Sequence, residues 1–399
     1  MIERKEYLEN LIRFKDKQII KVITGIRRCG KSTLFEIYQD YLLQNNVDKT
    51  QIISINLEDA DYMDIQDSKQ LYSFISEKLL SDKMNYIFLD EIQQISDFQK
   101  AVDSLFIKKN CDIYITGSNA YLLSGELATL LSGRYIEIKM LPLSFSEYSS
   151  AFSDNSNPER VYADYITKSS FPYTLELSKQ KDIRQYLEGI YNSVVLKDII
   201  ARRKFPDLTM LQSVVRFMFD NIGNLCSTKK IADTMTSLGR KISVHTVENY
   251  LSALCDSFIL YKVGRYDIKG KQYLQTGDKY YACDIGLRYL LLGSKKADDG
   301  HILENIIYLE LLRRGYEIYV GKSDSAEVDF VAIKDIGIEY YQVAYTVRED
   351  STLKRELAPL DTIRDHNPKY LLTMDIQPIT SHNGIRQINA LDWLCKKTE

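Results

Sequence analysis

The stretch Gly25-Ile26-Arg27-Arg28-Cys29-Gly30-Lys31-Ser32-Thr33 decides how the first third of the chain is read. It fits G-x-x-x-x-G-K-[ST] at every defined position. An apolar run, residues 19–24, leads into it, and a helix-forming stretch opens at Ser32. A phosphate cradle needs that placement. Successive backbone N–H groups turn inward, glycines let the backbone approach an anion closely, and the helix N-terminus adds partial positive charge. On this reading the loop 25–33 wraps the triphosphate of ATP, Lys31 bridges its β and γ phosphates, and the Ser32 hydroxyl ligates Mg²⁺.

Outward from the loop, apolar runs at 52–57, 86–89, 113–116 and 135–140 alternate with amphipathic stretches at 32–44, 69–80 and 97–109. Short strands feeding crossover helices predict an α/β fold with a parallel, doubly wound sheet. The run Tyr86-Ile87-Phe88-Leu89 ends in Asp90 and Glu91, at the strand edge where open α/β sheets bind ligands. Asp90 is the candidate for the magnesium shell and Glu91 for polarising the attacking water. The same pair could serve as an N-cap. The next strand ends Thr116-Gly117-Ser118-Asn119, and Asn119, with Ser118 as substitute, is a candidate γ-phosphate sensor or a plain helix cap. Arg134 is a candidate for stabilising transition-state charge, in cis or from a neighbouring subunit, with a structural ion pair as the alternative.

Beyond residue 143 the pattern changes. Residues 144–225 read as a helical lid or linker, broken at Phe171-Pro172 and Phe205-Pro206, with a polar loop at 149–157. Tyr186, Leu187, Ile190, Tyr191, Val194 and Val195 form a stripe at helical spacing, read as helix core. Residues 226–295 read as two short helices, 228–238 and 243–255, then a hairpin around Lys269-Gly270-Lys271. That is the layout of a winged helix-turn-helix, whose second helix can enter a DNA major groove. Over 196–271, 13 Lys and Arg against 7 Asp and Glu give +6, in a chain whose net charge is −3. Lys229, Lys230, Arg240 and Lys241 are the candidate contacts to double-stranded DNA, the alternatives being a winged helix used only for protein contacts or a solvated basic face. His245 has no Cys or carboxylate partner at metal-ligand spacing.

The runs GIRRCGKST, FLDEIQ and ITGSNAYLLSGELATLLSGRYIEIKMLPLSFSEY together resemble prokaryotic AAA-type ATPases that carry a C-terminal domain of unknown function, DUF4143. The resemblance implies a P-loop fold, ATP use, and roles for Lys31, Asp90 and Glu91, and it points to the winged helix as well. The last part, 296–399, follows the order of the PD-(D/E)XK nuclease core. Glu304 lies on a helix, Asp329 in Glu327-Val328-Asp329-Phe330, and Gln342 in Tyr341-Gln342-Val343-Ala344-Tyr345. In that core, acidic residues converge on Mg²⁺ to activate water. The chain departs from it at Ala344, where the pattern asks for Lys, and at Gln342, a neutral ligand. The expectation is a nuclease-like domain without cleavage, unless Lys322 or Lys334 supplies the ammonium. Ordinary surface charges at Glu304 and Asp329 are the plainer alternative.

Composition bounds the rest. At 399 residues the chain is too long for one ordinary core, and 29 Tyr with 14 Phe exclude global disorder. No apolar run approaches the roughly 18 residues of a membrane span, and the charged start of the chain lacks a secretory pattern. Six scattered Cys, with no CxxC pair, indicate reduced thiols and a cytoplasmic protein, not disulfides or a zinc knuckle. The sequence therefore points to a Mg²⁺-dependent ATPase coupled to DNA binding, with homo-oligomers and protein partners left open. The alternative is an ATP-gated assembly switch with little turnover. A small-molecule kinase uses the same loop, but no acceptor-pocket signature supports it.

Overall fold

The computed structural model describes residues 2–118, 131, 133–152, 157–194, 199, 207–270, 272–293, 298–323, 326–335, 337–376 and 378–396. Asn119, Val195, Phe205, Pro206 and Lys271 lie outside the described residues, as do residues 153–156 of the expected polar loop. The chain divides into two compact units, residues 1–142 with 256–258, and 143–255 with 259–399.

The first unit is built on five parallel strands, β1 (Ile20–Thr24), β2 (Ile52–Asn56), β3 (Asn85–Asp90), β4 (Cys111–Gly117) and β5 (Tyr135–Lys139). Their order is β2-β3-β4-β1-β5. Every residue of β1, β3 and β4 is buried, whereas the edge strand β2 alternates. Strands covered on both faces must read as continuous apolar runs, which is why the sequence shows them so plainly. Val22, Ile115, Leu89 and Ile55 stand abreast across the sheet and belong to one apolar core. Helices Lys31–Gln44, Ser68–Ser76 and Phe98–Phe106 connect the strands, and Asp67 with Gln70 forms a capping box at the second.

Two features position the ligand end of this sheet. The connection leaving β1 runs to β2, while that leaving β4 runs past β1 to β5, so neighbouring strands send their chains in opposite directions. Ligands bind at such a switch point, outside the carboxyl ends of the strands. At the other end, the buried Lys21 ammonium pairs with Asp112, which also accepts from the Tyr114 hydroxyl at 2.8 Å and the Asp16 amide at 2.9 Å. This network clamps β1 to β4 at their N-terminal ends.

The second unit carries helices Phe145–Ser149, Pro158–Lys168, Gln180–Asn192, Leu208–Asp220, Thr228–Ser237 and Val244–Asp256 ahead of a mixed eight-stranded sheet. Its strands are β6 (Leu260–Asp267), β7 (Gln272–Ala282), β8 (Glu317–Ser323), β9 (Ala326–Lys334), β10 (Gly337–Ala344), β11 (Lys369–Thr373), β12 (Thr380–His382) and β13 (Ile385–Asn389), in the order β12-β13-β11-β10-β9-β8-β6-β7. Helices Thr228–Ser237 and Val244–Asp256 precede the antiparallel pair β6–β7 in the chain. Yet β6 pairs in parallel with β8, so the hairpin and the C-terminal strands share one sheet. Helix Ile285–Leu292 starts on Asp284, whose buried carboxylate accepts from Leu287 N–H and from the Ser170 amide and hydroxyl. Gly286 is forced there: a Cβ would lie 2.3 Å from the Ser169 Cβ and 2.5 Å from its Cα. Helix Asp299–Arg313 then packs over β7, β8, β9 and β10.

Candidate functional site

The loop after β1 is shaped by backbone conformations that side chains resist. Gly25 has φ 150°, and a Cβ there would lie 2.1 Å from the Met140 carbonyl oxygen, so only glycine fits. Arg28 (φ 70°) and Gly30 (φ 105°) also take positive φ, turning the loop back onto the N-terminus of helix Lys31–Gln44. The buried Lys31 ammonium donates to the carbonyls of Gly25 (3.1 Å) and Ile26 (3.4 Å) and lies 3.8 Å from Glu91 Oε1. Arg27 reaches out to Glu58, just past β2, at 3.1 Å.

Asp90 ends β3, and Glu91 follows in a left-handed conformation, φ 53°. Strained non-glycine backbone of this kind persists where the surroundings over-determine it. Here the determinant is Thr116 on β4, which is fully buried. Its hydroxyl donates to Asp90 Oδ1 and accepts from the Glu91 amide at 3.0 Å, fixing both carboxylates to the neighbouring strand. Burial pushes the Asp90 carboxyl up from its ordinary value, opposed by hydrogen bonds from Ser32 and Thr116 and by the nearby Lys31 charge. A hydroxyl and a carboxylate oxygen side by side are the hard donors that Mg²⁺ takes, so Ser32 and Asp90 fit that ion. Glu91 Oε2 accepts from the side-chain amide of Gln93. Ser118 Oγ, two residues beyond Thr116, is buried with no hydrogen-bond partner among the described residues. The loop lysine, the loop serine and both carboxylates thus converge at the ends of β1 and β3, with β4 between them.

A buried arginine supports the loop from outside. Arg4, at the start of helix Lys5–Arg13, donates to the carbonyls of Cys29 (2.9 Å) and Leu141 (2.6 Å). Burial raises the Cys29 thiol pKa above its ordinary value, so it is a packing residue of the loop. Neither Arg4 nor Thr116 had a spacing signature; Thr116 was visible only as part of the polar strand end. Arg134 pairs with Asp103 on helix Phe98–Phe106, with its guanidinium over the Phe106 ring.

In the second unit, Lys229, Lys230 and Lys241 are exposed around the two short helices, as is His245, 3.8 Å from Glu248. Arg240 is engaged: it donates to the Thr209 carbonyl at 3.1 Å and to the Ser213 hydroxyl. Glu304, Asp329 and Gln342 come together beneath helix Asp299–Arg313. Asp329 N–H donates to Gln342 Oε1 at 3.3 Å, and both carboxylates surround an ammonium, that of Lys279 on β7. Lys334 instead donates to the Arg314 carbonyl at 2.8 Å.

Residues 17–149 match the family model of an AAA domain, and residues 159–298 match DUF8612, a domain of unknown function other than the DUF4143 of the sequence resemblance. An uncharacterized protein of Haemophilus influenzae is 43% identical over 398 residues, 99% of this chain and 98% of that protein. Uncharacterized protein MJ1544 of Methanocaldococcus jannaschii is 30% identical over 367 residues, 87% of this chain and 79% of that protein. The chain belongs to their family, with an AAA domain at its N-terminal end. Among solved structures, the Walker-type ATPase PABY2304 of Pyrococcus abyssi aligns with this AAA-domain protein at 16% identity and a TM-score of 0.49, over 73% of this chain and 96% of that one. Among the described residues of the AAA-domain protein, no helix is long and apolar enough to cross a membrane.

Proposed function

We propose that the first unit hydrolyses ATP to ADP and phosphate. The observation that carries this reading is the convergence of Lys31 and Ser32 with Asp90 and Glu91, Lys31 lying 3.8 Å from Glu91 and Ser32 lowering the Asp90 carboxyl pKa against burial. Ser32 and Asp90 would hold Mg²⁺, which would supply neutralisation of the charge developing on the triphosphate. Loop amides and the Lys31 ammonium bind and orient the triphosphate. When phosphate oxygens take over the ammonium, Glu91 loses its ion pair and turns to a water, accepting its proton at a carboxylate oxygen. Thr116 holds Asp90 and the Glu91 backbone while this happens, and the unpartnered Ser118 hydroxyl supplies a donor to the γ-phosphate or the water. The engagement of Glu91 by both Lys31 and Gln93 gives specific support to a slow, ATP-gated switch as the second reading.

The exposed Lys229, Lys230 and Lys241 support duplex DNA as the partner of the second unit, through salt-dependent phosphate contacts. The deciding experiment measures phosphate release with and without duplex DNA. Wild type should release phosphate faster with DNA, Glu91→Gln should bind ATP without turnover, and Lys31→Ala should lose nucleotide binding. ATP-dependent oligomer size without phosphate release would establish the switch instead. Unaltered ATP affinity in Lys31→Ala would remove the site assignment altogether.

A further inference from the structure

The nuclease-like arrangement of Glu304, Asp329 and Gln342 implies a divalent metal, and the side chains around it do not fit one. Glu304 Oε1 accepts from the Lys279 ammonium at 2.9 Å and from the Tyr281 hydroxyl at 2.6 Å, while Oε2 faces His301 Nδ1 at 3.5 Å. Asp329 Oδ2 accepts from the Val343 amide at 2.9 Å, and Oδ1 lies 3.8 Å from Lys279. Gln342 spends its acceptor oxygen on the Asp329 amide and its amide donor on Glu356 at 3.0 Å. Every carboxylate oxygen of Glu304 and Asp329 thus already faces a donor or the ammonium within 3.8 Å. Among the described residues, no group of three or more His, Cys, Asp or Glu side chains is arranged to hold a metal ion.

We propose that the Lys279 ammonium is the resident cation of this cluster, filling the place of a divalent metal between Glu304 and Asp329. Lys279 is 3% exposed, and its ammonium also lies 2.9 Å from Glu327 Oε1. Glu327 and Asp329, two apart on β9, share one face, as do Lys279 and Tyr281 on β7. Burial alone would lower the lysine pKa, but Glu304, Asp329 and Glu327 outweigh it and raise it, so the ammonium stays charged.

The fold delivers the ammonium by bending the sheet. In the strand order β9-β8-β6-β7, three spacings separate β9 from β7. A flat sheet would hold those strands about 14 Å apart. Register shifts in β6 between Val263 and Arg265, and in β8 between Tyr319 and Gly321, supply irregularities of the kind that bend strands. Backbone closes the cluster on another side. Gly223, with φ 73°, lies so close that a Cβ would stand 3.0 Å from Glu304 Oε2 and from His301 Nδ1. Glu304 and Asp329 are buried and already engaged, which opposes the approach of a phosphodiester. The cluster ties helix Asp299–Arg313 to the sheet, and it does so without metal and without cutting DNA. The inference is independent of the ATPase reading, since its measurements need no nucleotide.

The test uses the full chain without nucleotide and measures Mn²⁺ uptake by paramagnetic resonance, plasmid cleavage in Mg²⁺ and Mn²⁺, and thermal melting. Wild type and Asp329→Asn should take up Mn²⁺ equally and cut nothing. Lys279→Met, leaving buried carboxylates without their cation, should melt roughly 6–20 °C lower. Millimolar Mn²⁺ should restore at least about 2 °C to Lys279→Met and nothing to Lys279→Met/Asp329→Asn. Mn²⁺ uptake or cleavage in wild type that vanishes in Asp329→Asn would overturn the proposal, and that arm decides even if Lys279→Met does not fold. Wild-type stability in Lys279→Met, or no Mn²⁺ rescue that depends on Asp329, would overturn it too.

Discussion

Replacing Thr116 with valine exchanges one buried hydroxyl for a methyl group and leaves the volume nearly unchanged. That hydroxyl serves two partners at once, donating to the Asp90 carboxylate and accepting from the Glu91 amide. A hydrogen bond to a charged group contributes about 1.5–3 kcal/mol, and an orphaned buried donor costs about 1–3 kcal/mol. The added methyl returns about 0.8 kcal/mol of burial. Thr116→Val should therefore destabilise the first unit by about 2–5 kcal/mol, or roughly 5–20 °C in melting temperature without nucleotide. The catalytic consequence is larger than the binding one, because the phosphate loop itself is untouched while the Glu91 backbone is released from its strained φ of 53°. ATP should bind within a few-fold of wild type, and kcat should fall on the order of 10–100-fold. Thr116→Ser is the control, since it keeps the hydroxyl and loses only a methyl. If valine melts and turns over like wild type, or if serine fails as badly as valine, the hydroxyl bridge is not what holds the carboxylates.

Gly25→Ala should weaken nucleotide binding on the order of 10-fold or more in a fluorescent-nucleotide titration, because its Cβ would press to 2.1 Å from the Met140 carbonyl oxygen at φ 150°. Arg4→Ala should raise the KM for ATP more than it lowers kcat, with partial rescue by Arg4→Lys, because the loop carbonyl at Cys29 loses its donor. Changing Lys229, Lys230 and Lys241 together to Ala should lower DNA affinity and flatten its salt slope by up to about 3, read by fluorescence anisotropy across a salt series. Adding Arg240→Ala should cost stability and leave the slope nearly as it was, since that guanidinium is bound to Thr209 and Ser213.

The central strands β1, β3 and β4 were legible because burial on both faces leaves no alternation to misread. The run 86–89 became Asn85–Asp90, and 135–140 became Tyr135–Lys139. Lys31, Ser32, Asp90 and Glu91 were legible for another reason: their chemistry demands fixed spacing from a strand end, and spacing survives in a sequence. Thr116, Arg4 and Lys279 have no such constraint. Each is placed by elements remote in the chain, Arg4 by the Leu141 carbonyl 137 residues away and Lys279 by a carboxylate 25 residues on. The shared sheet of hairpin and C-terminal strands escaped notice because β6 meets β8 through three residue pairs, Arg265–Val320, Tyr266–Gly321 and Asp267–Lys322, in a parallel arrangement with helix Asp299–Arg313 between.

The two buried lysines differ in how tightly they are held, in the sense that the proposed roles of the two units require. Lys31 rests on two carbonyl oxygens at 3.1 and 3.4 Å and a single carboxylate at 3.8 Å, a loose hold beyond the carboxyl end of the interior strand β1. Triphosphate oxygens carrying several negative charges would offer that ammonium a stronger field than its resting partners do, so exchange is downhill. Lys279 sits against two carboxylates at 2.9 Å with a third at 3.8 Å. Coulomb attraction falls with distance and strengthens as water is excluded, so this second arrangement gains little from any anion that replaces it. A cation that must be surrendered to a substrate has to be held weakly beforehand. On the proposed reading, Lys31 meets that condition and Lys279 does not, so a nucleotide would draw the first ammonium away from Glu91 while the second stays fixed beneath its helix.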